Sequence, residues 1–169
     1  MLVLVRHAMP VHGPETPARD WVLGPEGREA ARELCARLPA GARLVASTEP
    51  KAIATIEPLG PVITDRRFDE IERVEAYDGD FRTRRRAYVD GVDHDDWEPR
   101  EDVVRRFAAG VAEHVAAADG RPVIVASHGM AATLWLTATI GLEQPAAFWE
   151  DLRFPDAWVV GTGAVERLG

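Results

Sequence analysis

The 169 residues carry a formal net charge of −8 and are 46% hydrophobic and 7% aromatic, proportions ordinary for a globular enzyme or binding domain built on one core. Such an acidic balance argues against non-specific partnership with nucleic acid or an anionic membrane, both of which need clustered positive charge. A single cysteine, Cys35, rules out an internal disulfide and suits a reducing compartment. It lies among Ala31, Leu34 and Leu38 and reads as a core residue. The N-terminal apolar run is too short for a signal segment, and no apolar stretch is long enough to span a bilayer. A cytoplasmic location is therefore expected.

The chain starts with LVLV running straight into Arg6 and His7. A short Val/Leu run predicts a strand buried on both faces, as in the middle of a parallel sheet. Ligands of open α/β sheets lie beyond the carboxyl ends of the strands, which would put Arg6 and His7 beside a substrate. The plainer alternative is a strand followed by a polar loop, in which His12 is a solvated residue or else lines the rim of the pocket. LGPEGREAARELCARLP predicts an amphipathic helix, with Pro25 just inside its start and Pro39 and Gly41 after its end. ARLVAS predicts a second strand, and TEPKAIATIEPL a helix capped by Thr48 with Pro50 in its first turn. PVIT is a weak third strand.

From Asp65 to about Glu101 the chain is dense in charge and poor in periodic apolar residues, and is expected to be a solvated excursion. Arg84, Arg85 and Arg86 form a charge run there, either a wet helix face or the receiver of a second anionic group. DGVDHDDWE lacks the spacing of an EF-hand loop, and no metal is expected. EDVVRRFAAGVAEHVAAADG resumes helical periodicity through Val103, Phe107, Val111 and Val115, with His114 half-buried at the edge of the stripe and Gly120 as terminator. RPVIVAS is a strong strand leading into HGMAATLWLTATIG, a helix apolar on nearly every side, in which Trp135 is a packing residue like Trp149 beyond it. AWVVGTGAVERL suggests a last strand, bent at Gly161 or Gly163. Alternating strands and helices indicate an α/β sandwich.

One arrangement occurs twice: LVLVRHA and VIVASHG each take a hydrophobic strand to a histidine at its carboxyl end. A parallel sheet would bring His7 and His128 to the same edge. Ser127 is a candidate cap for the helix after it, whose free N–H groups and dipole would face that edge too. Arg6 adds a forked cation and Lys51 a compact one. Together they suit a doubly charged anion, and no G-x-x-x-x-G-K-[ST] or G-x-G-x-x-G loop is present to hold it instead. A neutral imidazole at the centre of such a site suggests a nucleophile that can form phosphohistidine.

With these motifs the chain resembles the histidine phosphatase superfamily, also called the phosphoglycerate mutase-like family. The family's Arg-His-Gly is matched by Arg6, His7 and Ala8; its Ser-Ser-Pro segment with Arg-Ala and a later Thr by ASTEPKAIATIEPL; its proton-donor segment by RRFDEIERVEAYDGDFR; and its second His-Gly by VIVASHG. The resemblance implies a three-layer α/β/α sandwich with a mostly parallel central sheet, a single domain over residues 1–169 and a charged cap at about 65–101. It implies that His7 is phosphorylated, that Arg6, Lys51 and His128 bind the phosphoryl oxygens, and that Glu70, with Glu72 as the other candidate, protonates the leaving oxygen. The activity implied is cofactor-free, metal-independent hydrolysis of a small phosphorylated metabolite. A mutase-type phosphotransferase, a protein phosphohistidine phosphatase, and a phospholigand-binding module of weakened turnover are the other readings. The oligomeric state is left open, a homodimer included. Two departures stand out: Ala8 replaces glycine, which is unstrained if its φ is negative, and Lys51, the only lysine beside nineteen arginines, replaces an arginine fork.

Overall fold

The structure, a computed structural model, describes residues 1–77 and 80–169. Its strands are β1 (Leu2–Arg6), β2 (Arg43–Ala46), β3 (Ile63–Thr64), β4 (Val123–Ser127), β5 (Asp156–Val160) and β6 (Val165–Arg167). Its α-helices are α1 (Pro25–Cys35), α2 (Pro50–Ile56), α3 (Phe81–Val89), α4 (Arg100–Ala116), α5 (Gly129–Ile140) and α6 (Pro145–Glu150). The strands form one sheet in the order β3-β2-β4-β1-β5-β6. β3, β2, β4 and β1 run parallel, whereas β5 and β6 are antiparallel additions.

Because side chains of a strand alternate between faces, the two central strands split their residues between two cores. Leu4, Val123 and Val125 pack with Phe107 of α4 and Met130 and Leu134 of α5. Val3, Val5, Ile124 and Ala126 pack with Leu34 and Cys35 of α1 and Ala52 and Ile56 of α2. Helices thus cover both faces of the sheet, and the fold is the expected mostly parallel three-layer α/β/α sandwich. Among the described residues no helix is long and apolar enough to cross a membrane.

The structure departs from the sequence reading in five places. The C-terminal segment makes a hairpin of two strands rather than one bent strand, with Gly163 at φ 80° in its turn. Glu49, not Thr48, precedes α2 as its cap residue, because Thr48 Oγ1 is engaged by Asp69 at 2.8 Å. Ser127 does not cap α5; His128 holds that position and Ser127 Oγ donates to Phe68 O at 2.7 Å. His114 is buried rather than half-buried: it takes Arg43 Nε–H on Nδ1 and donates through Nε2 to Asp65, while Val115 is exposed. Finally, the 65–101 segment sends Phe68, Ile71, Tyr88 and Trp97 into the core beside α4. Phe68 gets there because position 110 is glycine, where a Cβ would stand 2.7 Å from the ring.

Candidate active site

Register decides which side chains meet. β1 pairs with β4 from Leu2↔Val123 to Arg6↔Ser127, so the next residues of the two strands, His7 and His128, are neighbours at the sheet edge. His7 N–H donates to Ser127 O at 3.2 Å, and the two imidazole centroids lie 5.1 Å apart. Ala8 is buried, its N–H donates to Thr55 Oγ1 at 2.9 Å, and that hydroxyl donates to Lys51 O at 2.7 Å. Thr55 thereby ties the end of β1 to the first turn of α2. Asp119 is the only described non-glycine residue with a positive φ, so Ala8 carries no backbone strain in place of glycine.

Hydrogen bonding assigns the protons on both rings. His7 Nδ1 lies 2.8 Å from Ala8 O; a carbonyl only accepts, so Nδ1 carries the hydrogen and Nε2 presents its lone pair. Ser47 Oγ donates to Asp69 Oδ1 at 2.8 Å and accepts from Glu49 N–H at 3.1 Å. Its contact at 2.9 Å with His128 Nε2 is therefore one in which the imidazole donates. Burial, together with the neighbouring ring and the Lys51 charge, drives the His7 pKa well below its usual value. Burial and Lys51 lower His128 to about 3. Both rings are neutral near pH 7, as a nitrogen nucleophile requires.

Lys51 is 5% exposed; it donates to Ala18 O at 2.7 Å and is ion-paired with Glu49 Oε2, which leaves one of its three N–H groups for a ligand. Arg6 donates to Leu152 O at 3.0 Å, stacks its guanidinium 3.5 Å over the Phe154 ring, and keeps a buried Nε without a hydrogen-bond partner. Burial lowers its pKa to about 10, which leaves it cationic. Glu70 places its carboxylate on the first turn of α5, accepting from Met130 N at 3.3 Å and Ala131 N at 3.0 Å. This is the dipole-facing position for an anion, taken by a side chain.

Arg6, His7, Lys51, Glu70 and His128 therefore line one cleft of about 990 Å³, and Glu72 stands on its wall. Of the arginine run, only Arg85 reaches the cleft, where it pairs with Glu75; Arg84 pairs with Asp96 and Arg86 with Glu150 at the surface. Glu49 was missed by sequence reasoning. Buried, it bridges Lys51, the Glu70 N–H at 3.0 Å and His128 Nε2 at 3.4 Å. Its only trace in the sequence is an acid two residues before the sole lysine, at a helix start where negative charge is favoured. Ser47 and Asp69, which orient His128, and Phe154, which supports Arg6, left no such trace.

The basic Arg6 and Lys51 share the cleft with the acidic Glu49 and Glu70. The site holds an imidazole nitrogen with a free lone pair, one buried and one half-buried cation and a carboxylate within one cleft, parts suited to moving a phosphoryl group.

Comparison with known structures agrees with this architecture. A mycobacterial glucosyl-3-phosphoglycerate phosphatase in its native form superposes with a TM-score of 0.65 at 24% identity, over 93% of this chain and 87% of that one. YhfR of Bacillus stearothermophilus gives 0.72 at 21% identity, over 98% and 94%. A phosphoserine phosphatase mutant from Entamoeba histolytica in complex with phosphoserine gives 0.65 at 13% identity, over 99% and 94%. No curated protein matches the chain significantly. The profile of the histidine phosphatase superfamily (branch 1) matches residues 2–160, nearly the whole length, and the chain belongs to that family.

Proposed function

We propose that the protein is a phosphatase of small phosphorylated metabolites that works through a phosphohistidine. The observation that carries the proposal is the tautomer of His7: with Nδ1–H held by Ala8 O, Nε2 is the lone pair in the cleft. In the first step Nε2 attacks phosphorus, the bond to the ester oxygen breaks, and Glu70 gives that oxygen its proton. Among the described residues Glu70 Oε2 is held only by the 3.3 Å contact to Met130 N, whereas Oε1 takes two N–H groups, so Oε2 is the oxygen assigned to this exchange. In the second step water attacks phosphorus, Glu70 takes the water's proton, and the P–N bond breaks to restore neutral His7. Arg6 and Lys51 bind the phosphoryl oxygens, and His128, whose Nε2–H is held by Ser47, joins them once the bound phosphoryl group's charge brings a proton onto its Nδ1, so side chains meet the charge of the transition state. The proton that Glu70 donates arrives with the substrate, since a phosphoryl dianion beside a carboxylate favours uptake of one.

The test is a panel of phosphorylated metabolites followed by a quench for phosphoenzyme. Acid-labile, base-stable label on His7, lost in His7→Ala along with turnover, is expected; label on His128 or on a carboxylate overturns the assignment. The Glu49–Lys51 ion pair favours a second reading, a phospholigand-binding module, since it offsets one of the two cations. A stoichiometric burst of phosphoenzyme with no release would select it.

A further inference from the structure

The catalytic cleft opens beside Phe154 into a second compartment of about 490 Å³. Phe154 belongs to both: Arg6 stacks on its ring, and its centroid lies 5.5 Å from that of His7. The far wall is aromatic. Residues 10–23 fold back as a ribbon, with Val11 N–H donating to Val22 O at 2.9 Å, which sets His12 across from Trp21 at 5.6 Å between centroids. Tyr77 meets Trp21 edge-on at 6.4 Å and an interplanar angle of 88°.

The polar edges of these rings are already spent inside the wall. Trp21 Nε1–H donates to Thr16 O at 2.9 Å, and Tyr77 OH and His12 Nδ1 share a bond of 2.9 Å. Arg85 and Glu75, which also face the compartment, are paired with each other. Apart from Arg6 at the mouth and the exposed Arg82 at the rim, what remains on offer is mainly ring surface and aliphatic carbon: Tyr77 is 53% exposed and Met9 46% exposed, a large apolar area for folding to leave uncovered beside a charged site. A polyhydroxylated group placed there would lose water from hydroxyls that find few partners, which is costly. A flat apolar ring would find edge and face contacts and lose nothing. The volume suits a group of one or two rings.

We propose that this compartment binds the leaving-group half of the substrate, and that it selects an aromatic ring joined to the phosphorylated oxygen through a short aliphatic link. The inference rests on the phosphatase reading for what happens to the ligand, but not for its binding. Two measurements keep them apart.

Binding is read on the parent protein by calorimetry with two non-hydrolysable phosphonates, naphthalen-2-ylmethylphosphonate and ethylphosphonate. The aromatic ligand is expected to bind at least about tenfold more tightly. That preference should fall towards unity when Trp21→Ala and Tyr77→Ala are combined, and largely persist in Trp21→Phe. Equal affinities in the parent, or a preference that survives the double substitution, overturns the compartment as an aromatic site. Turnover is read with naphthalen-2-ylmethyl phosphate and ethyl phosphate, whose alcohols are of similar acidity, so that a difference in kcat/KM reports binding rather than leaving-group chemistry. The aromatic ester should lead by at least about tenfold, mostly through KM. Hydrolysis of neither ester, with the phosphonate preference intact, overturns the phosphatase reading and leaves the binding site standing.

Discussion

The cleft has two walls built in different ways. The inner wall, His7, His128 and Lys51, hangs on the ends of β1 and β4 and the first turn of α2, where backbone pairing and the Ala8–Thr55–Lys51 chain set positions. The outer wall, Arg73, Glu75 and Arg85, stands on the charged 65–101 segment and is held by ion pairs between side chains. Backbone ladders are shared by many residues and resist single substitutions, whereas an ion-paired wall can be rebuilt one residue at a time. In the proposed reaction the inner wall serves every substrate, and the outer wall, with the aromatic compartment beside it, selects among them.

Glu70 is where that division is tested most severely, since it comes from the outer segment yet docks on α5. Glu70→Gln should lower kcat for alkyl phosphates by about 10²–10⁴-fold and for aryl phosphates far less, because only the alkoxide needs a proton to leave. Equal losses for both would make Glu70 a binding residue and return the acid role to Glu72.

Lys51→Ala should lower kcat/KM at least about a hundredfold, or roughly 2.7 kcal/mol of transition-state stabilisation. It also strands the buried Glu49 carboxylate, so a lower Tm is expected. Glu49→Gln combined with Lys51→Met removes the stranded charge; it should recover Tm and not activity. Recovery of both would place Lys51 among structural residues.

For the outer wall, Arg85→Ala should leave Glu75 paired with Arg73 and change KM by up to about tenfold, differently for different esters, with kcat nearly constant. A uniform fall in kcat across the panel would erase the distinction between the walls.

A separate effect is confined to stability in acid. His128 has a folded pKa of about 3, below its usual 6.5, so the unfolded chain binds more protons and stability declines as pH falls below about 6.5 towards 3. Asp65 adds a later loss of the same sign: burial alone pushes its pKa up, but bonds from Arg67 and His114 outweigh this and leave it at about 2. Its contribution fades as pH falls from the ordinary carboxylate range. Urea unfolding at stepped pH should show both phases, with the first reduced in His128→Asn and reduced further when His7, whose pKa is lowered in the same direction, is also replaced.

The sequence by itself determined the sheet-and-helix alternation, the buried central strands and the meeting of His7 with His128. Each follows from a local pattern, and a parallel register carries two strand-end histidines to one edge without any further information. Arg6 and Lys51 were legible for the same reason, being tied in sequence to those elements. Tertiary structure alone decided the rest. Glu49 became a bridge between Lys51 and His128, Glu70 rather than Ser127 satisfied the start of α5, and the 65–101 segment turned out to carry core aromatics that charge density had hidden. In each case the deciding contact joins a side chain to a group from an element remote in the chain. No periodicity or spacing encodes such a contact, because its energy exists only once packing has closed the distance.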